Sequence, residues 1–100
     1  MTLLVYGAYG YTGELISGAA VDRGLDPILA GRHGDRLRDL GRDLRADVRE
    51  FDLAIPEVVA ESVRDVDAVL NCAGPFADTA EPLVDACIET GTDYLDVTGE

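Results

Sequence analysis

The chain has 100 residues, 20 of them acidic and 8 basic, for a formal net charge of −12. That length holds one domain with a single core and is too short for a cofactor domain plus a substrate domain. A surface this acidic argues against nucleic acid and anionic membrane as partners, both of which need cationic patches, and no run of about 18 apolar residues is present to span a bilayer.

The first element is an apolar run, Leu3-Leu4-Val5-Tyr6, which reads as a buried parallel strand. It leads directly into Gly7-Ala8-Tyr9-Gly10-Tyr11-Thr12-Gly13, three glycines spaced three apart. In a dinucleotide site the first glycine permits the sharp strand-to-helix turn. The second lets backbone N–H groups approach a pyrophosphate, and the third lets the helix pack closely on the strand. The helix N-terminus adds unpaired N–H donors and the positive end of its dipole. Any tight turn before a helix can be glycine-rich, and the first spacing is one residue longer than G-x-G-x-x-G, so the triplet alone does not identify a cofactor. The helix that follows places Leu15, Ile16, Ala19 and Ala20 on one face and stops near Gly24.

A second strand covers 27–30, followed by a turn from Gly31 to Gly34 and a helix with Leu37, Leu40 and Leu44 on one stripe. Residues 46–51 form a third strand ending at Asp52, and Pro56 opens a helix that turns Val59 and Val63 inward and fades by Asp65. A fourth strand spans 66–71 and is broken by Cys72-Ala73-Gly74-Pro75-Phe76. A helix over about 80–90 carries Pro82 early, Leu83, Ala86 and Cys87 inward, and Gly91 as its C′ residue. The fifth strand is 94–97, with Thr98-Gly99-Glu100 beyond it. This alternation predicts an α/β fold, a Rossmann-like doubly wound parallel sheet of about five strands with helices on both faces.

In that fold an acidic residue at the end of the second strand binds the ribose 2′-hydroxyl of NAD, whereas arginine there accommodates the 2′-phosphate of NADP. The sequence is Ala30-Gly31-Arg32-His33, with Arg32 placed 19 residues after Gly13 and no carboxylate before it in the turn. NADP is therefore expected as the cofactor, since a guanidinium fork suits bidentate phosphate contact. His33 and Arg36 can add to this positive cluster, although a solvated histidine capping the second helix is the better reading of His33. Asp52 stands where side chains reach the adenine, with helix capping or solvation equally open. Cys72, Ala73 and Gly74 should border the cofactor from the fourth strand, Gly74 by close backbone approach and Phe76 as packing or a wall. The two cysteines form no metal motif and read as buried thiols.

These segments resemble the N-terminal NADP-binding domain of the saccharopine dehydrogenase-like oxidoreductases, including the trans-acting enoyl reductases. The likeness rests on the glycine segment, Leu29-Ala30-Gly31-Arg32, Leu70-Asn71-Cys72-Ala73-Gly74-Pro75-Phe76, Glu81-Pro82-Leu83-Val84 with Ala86-Cys87, and Tyr94-Leu95-Asp96-Val97-Thr98-Gly99-Glu100. The resemblance implies hydride exchange between NADPH and a carbonyl, imine or enoyl carbon. It also implies a second α/β domain that supplies much of the substrate pocket. Because the sequence stops at Glu100, it reads as a single NAD(P)-binding domain over 1–100, the N-terminal part of a longer oxidoreductase. A short-chain dehydrogenase needs a Tyr-x-x-x-Lys pair, and this sequence has no lysine. A semialdehyde dehydrogenase would have only Cys72 as nucleophile, without an activating base. A non-enzymatic NADP sensor or cofactor-binding subunit needs only the glycine loop and Arg32, and stays open as the alternative.

With no leader visible at the N-terminus, a cytoplasmic location is expected. The acidic, lysine-free composition fits adaptation to high salt, where screening removes self-repulsion, or a coding bias toward Asp, Glu and Arg. An uncovered fifth strand favours self-association into a homo-oligomer. Melting and sedimentation in rising KCl check both expectations: the melting temperature should climb toward molar salt with oligomer present. No gain in melting temperature, or a clean monomer, would contradict the respective expectation.

Overall fold

The structure is a computed structural model and describes residues 1–97. Nine elements alternate along the chain: β1 (Leu3–Tyr6), α1 (Tyr11–Asp22), β2 (Ile28–Gly31), α2 (Gly34–Leu44), β3 (Asp47–Glu50), α3 (Pro56–Val63), β4 (Ala68–Asn71), α4 (Phe76–Thr90) and β5 (Asp93–Asp96). The strands form one parallel sheet in the order β3-β2-β1-β4-β5. From β1 the chain winds outward through β2 and β3, then crosses back to β4 on the other side of β1. This reversal opens a crevice at the carboxyl ends of β1 and β4, where Tyr6 pairs with Asn71.

Period-two alternation along the central strands divides the core between the two faces of the sheet. Leu4, Tyr6, Ile28, Ala30 and Val69 face Val59 and Val63 of α3 and Leu83, Ala86 and Cys87 of α4. Val5 and Leu29 face Leu37 and Leu40 of α2, with Ala8 beside them. Each fully buried Val or Leu contributes roughly 1.5–3 kcal/mol of transfer free energy. The layers are those of a doubly wound α/β domain. β3 is tied to the end of α3 from outside the core. Arg49 donates from both terminal nitrogens to the Asp65 carboxylate at 2.7 and 2.9 Å, and Nη1 also reaches the Ser62 carbonyl at 2.7 Å. That guanidinium holds the Asp65 carboxyl below its usual range. Since Asp65 is largely exposed, the pair contributes no more than about 1 kcal/mol.

Strand and helix limits shift by one or two residues from the sequence reading, as helix and strand ends commonly do. Two differences are larger. On α1 the buried residues are Gly13, Ser17 and Ala20, while Leu15 is 59% exposed. The expected face of Leu15, Ile16, Ala19 and Ala20 is therefore rotated. A Cβ on Gly13 would collide with the Gly7 carbonyl oxygen and lie 2.9 Å from Ala8 Cα, so close packing at Gly13 sets which side of the helix meets the sheet. Leu15, two positions or about 200° further round, points outward.

The second difference is in α4, which starts at Phe76 rather than near residue 80, so Pro82 lies inside the helix rather than in its first turn. Proline in an interior turn removes one hydrogen bond and costs about 3 kcal/mol. Full or nearly full burial of Leu83, Ala86 and Cys87 directly after it offsets that cost. Gly91 ends the helix in the left-handed region at φ 73°, as expected of a C′ glycine. Residues 98–100, including the expected Thr98-Gly99-Glu100 segment, lie outside the described residues.

Candidate nucleotide-binding site

Gly7 brings the walls of the crevice together. It has φ +81°, and a Cβ there would stand 2.8 Å from Ala73 N, Cα and Cβ, so only glycine allows the β1 and β4 exits to touch. Its N–H donates to the Ala30 carbonyl at 2.8 Å, which joins the turn to β2, and its own carbonyl accepts from Gly10 N–H at 3.2 Å. Cys72 N–H donates to the Tyr6 carbonyl at 2.8 Å and extends the β1–β4 pairing into the loop.

The resulting cleft has a volume of about 850 Å³, within the usual span of small-molecule sites, about 300–1,000 Å³. Of the residues expected at the site, Gly7, Tyr9, Gly10, Arg32, His33, Asp52, Cys72, Ala73 and Gly74 line it together. Ala8, Tyr11, Thr12 and Gly13 do not. Ala8 is fully buried and its N–H is committed to the Ala30 carbonyl at 3.2 Å. Tyr11 is 84% exposed, and Gly13 is packed against the Gly7–Ala8 turn. Tyr11, Thr12 and Gly13 form the first turn of α1, where backbone N–H groups have no carbonyl four residues back within the helix.

The polar side chains of the cleft have distinct surroundings. Arg32 and Arg36 form one positive edge with His33 beside them, and Asp52 and Asp78 also line the cleft. His33 occupies the N-cap position of α2, but its side chain makes no capping bond; its ring instead meets Tyr9 edge-on at 5.7 Å. Asp52 does not cap α3, whose N-cap is Ile55. Its carboxylate accepts from Ala54 N–H at 2.9 Å and fixes the loop after β3. Cys72 is half-buried, and burial pushes its thiol up to about 11. It therefore offers little thiolate near neutral pH. Gly74 has nothing within 4 Å of the position its Cβ would take, so the expected close approach comes from no protein atom. Phe76 begins α4 and is not among the cleft-lining residues.

The sequence reading missed the support behind the Ala73 wall. Asn71 is fully buried at the end of β4, and its Nδ2 donates to Thr79 Oγ1 at 2.9 Å and to Tyr94 Oη at 3.2 Å. Its Oδ1 accepts from Ala73 N–H at 3.0 Å. The Thr79 hydroxyl donates to the Ala73 carbonyl at 2.9 Å, and Tyr94 donates to Asp96 at 3.0 Å. This satisfied network fixes the loop from both of its peptide ends. Thr79, Asp78 and Pro82 reach the cleft because α4 begins one turn earlier than its proline suggests. Among the described residues, no group of three His, Cys, Asp or Glu side chains is placed to hold a metal ion.

A parallel α/β sheet with a glycine-shaped turn, a helix N-terminus and a cationic edge at its switch point defines a nucleotide-binding domain. The cleft also fits a dinucleotide on its own geometry. At Gly10 a Cβ would meet only the Gly7 carbonyl, at an ordinary 3.5 Å, so the fold itself leaves that position open toward the cleft. The sequence model of the family described as saccharopine dehydrogenase NADP binding domain matches residues 3–100, and the chain belongs to that family, whose cofactor is NADP. The chain is 32% identical over 117 residues to the human saccharopine dehydrogenase-like oxidoreductase and 34% identical over 105 residues to the trans-acting enoyl reductase of Mycobacterium leprae. Each alignment takes in 98% of this chain but only 27% and 25% of the respective relative, so the chain spans about a quarter of their length. The solved structure titled AtPrR2 in apo form shares the fold, with a TM-score of 0.84 at 22% identity over 97% of this chain and 38% of that one.

Tyr6 lies under the cleft and donates to the Phe51 carbonyl at 3.1 Å. Burial, reinforced by Tyr9, pushes its phenol from 10.0 up to about 12. Its contribution is fully present below pH 10. As pH rises through about 12 the unfolded chain ionises first, and the contribution is lost. Denaturant titrations from pH 9 to 12 should therefore show Tyr6→Phe with a shallower alkaline decline than the unmodified chain, at a cost of about 1 kcal/mol at neutral pH. An identical alkaline slope would contradict this.

Proposed function

We propose that the cleft binds NADPH with its pyrophosphate on the turn from Gly7 to Gly13 and its 2′-phosphate on Arg32. The observation carrying this reading is the meeting of Gly7, Arg32 and Ala73 around one crevice at the carboxyl ends of β1, β2 and β4. Gly10 leaves space for close approach of the pyrophosphate, and the first turn of α1 offers N–H donors. Arg32, with Arg36, supplies local positive charge in a chain of net charge −12, and His33 lies beside them. The loop of Asp52 to Ala54 borders the adenine end, and Cys72 to Gly74 border the cofactor across the switch point.

When bound, NADPH supplies a hydride. We place the chain as one NAD(P)-binding domain over 1–100 in a longer oxidoreductase that transfers this hydride to a carbonyl, imine or enoyl carbon. Similarity to relatives about four times as long supports that placement. Tyr6 and Cys72 stay protonated at neutral pH, so neither serves as a general base there. This favours a substrate domain outside the chain as the source of proton-transfer groups. It also supports the second reading, a cofactor-binding subunit or sensor without turnover.

A cytoplasmic, salt-adapted protein is part of the same proposal, supported by the acidic, lysine-free composition. No helix of the described residues is long and apolar enough to cross a membrane. Exposed Leu95 on β5 and Ile88 on α4 support assembly through that edge. Fluorescence titration tests the cofactor assignment. NADPH should bind more tightly than NADH, and Arg32→Ala should weaken NADPH by about 1.5–3 kcal/mol, roughly ten- to a hundredfold, while leaving NADH nearly unchanged. A preference for NADH would remove the role given to Arg32.

A further inference from the structure

Tyr9 belongs to the glycine loop by sequence, yet its side chain leans across to the end of β2. A Cβ on Gly31 would run into the Tyr9 ring, so the missing side chain at Gly31 makes room for it. Tyr9 Oη accepts the His33 N–H at 3.3 Å. The Arg36 guanidinium carbon stands 4.8 Å from the centre of the Tyr9 ring, and Arg36 Nη2 approaches the Tyr9 carbonyl at 3.5 Å. The ring thus packs against the start of the turn that carries Arg32, while its hydroxyl holds the adjacent His33 and its face holds Arg36 in the first turn of α2. The phenol has one proton of its own, and among the described residues no acceptor takes it.

We infer that Tyr9 is a specificity-determining residue of this domain. Its ring positions the Arg32 turn, and its hydroxyl supplies one further donor to a phosphomonoester held at that edge. The inference rests on the assignment of Arg32 to the 2′-phosphate. The hydroxyl is suited to the task because it already accepts from a backbone N–H. That bond polarises the phenol and strengthens its donation to an anionic oxygen. NADH has only a 2′-hydroxyl there and leaves such a donor without its anionic partner.

The test is titration of the unmodified chain, Tyr9→Phe and Gly31→Ala with NADPH and NADH, with a melting curve on each. Tyr9→Phe keeps the ring on Gly31 and under Arg36 and removes only the hydroxyl. It should weaken NADPH about tenfold and change NADH by less than about twofold. Gly31→Ala retains every polar group but displaces the ring, and should produce the same selective loss. Adenosine 2′,5′-bisphosphate against 5′-AMP should reproduce the selectivity without the nicotinamide half. Equal weakening of both dinucleotides, or unchanged NADPH binding in Tyr9→Phe, would overturn the role of Tyr9 while leaving the NADP site in place. Failure of the unmodified, folded chain to bind NADPH would instead overturn the site itself.

Discussion

The architecture depends on one crowded residue. Gly7 follows β1 with a positive φ, donates to β2 through the Ala30 carbonyl, touches Ala73 after β4 and packs against Gly13 of α1. Four elements thus meet at a single residue. A side chain there would meet both a left-handed backbone and a wall already at 2.8 Å. Because Gly13 must sit over the Gly7 carbonyl, the same junction also sets the rotation of α1 and leaves Leu15 outside. The crevice is the space left above this junction.

Around the junction the walls are held by different means. On the β4 side a buried amide, Asn71, shares its hydrogen bonds among Ala73, Thr79 and Tyr94, giving a rigid loop with its polar groups satisfied. On the β2 side the turn is held from above by an aromatic ring and a guanidinium, both partly in solvent. Networks of the first kind specify shape, while exposed cation–π contacts contribute less, about 0.5–1 kcal/mol. The β4 wall is therefore the fixed reference and the Arg32 turn the more adjustable part. That division suits a site in which the common part of a dinucleotide is cradled and its distinguishing phosphate is gripped by long side chains.

Much of this was legible because the signals are local. Val59 and Val63 after Pro56, the Leu37–Leu40 stripe and Gly91 as a C′ residue follow from helical spacing and cap chemistry alone. Gly7, Arg32 and Ala73 could be assigned to one site because the winding rule places the carboxyl ends of successive strands together. Other features depend on tertiary geometry. The rotation of α1 is set by the close packing of Gly13 on the turn, so of the expected face Ala20 is buried while Leu15 points outward. Pro82 normally marks a helix start, but the packing of Leu83 and Cys87 carries it inside. The partnership of Asn71 with Thr79 and Tyr94 has no sequence period, since it joins a strand end, a helix and a neighbouring strand.

The central claim is that the Gly7 junction, the Arg32 turn and the Ala73 loop together form the NADPH site. Mapping amide shifts of the isotopically labelled chain as NADPH is added tests it most directly. The account predicts that Gly7, Gly10, Arg32, His33 and Ala73 respond together and saturably, while the Arg49–Asp65 face of the domain does not. Saturable shifts confined to that distant face, or none in the junction, would contradict it.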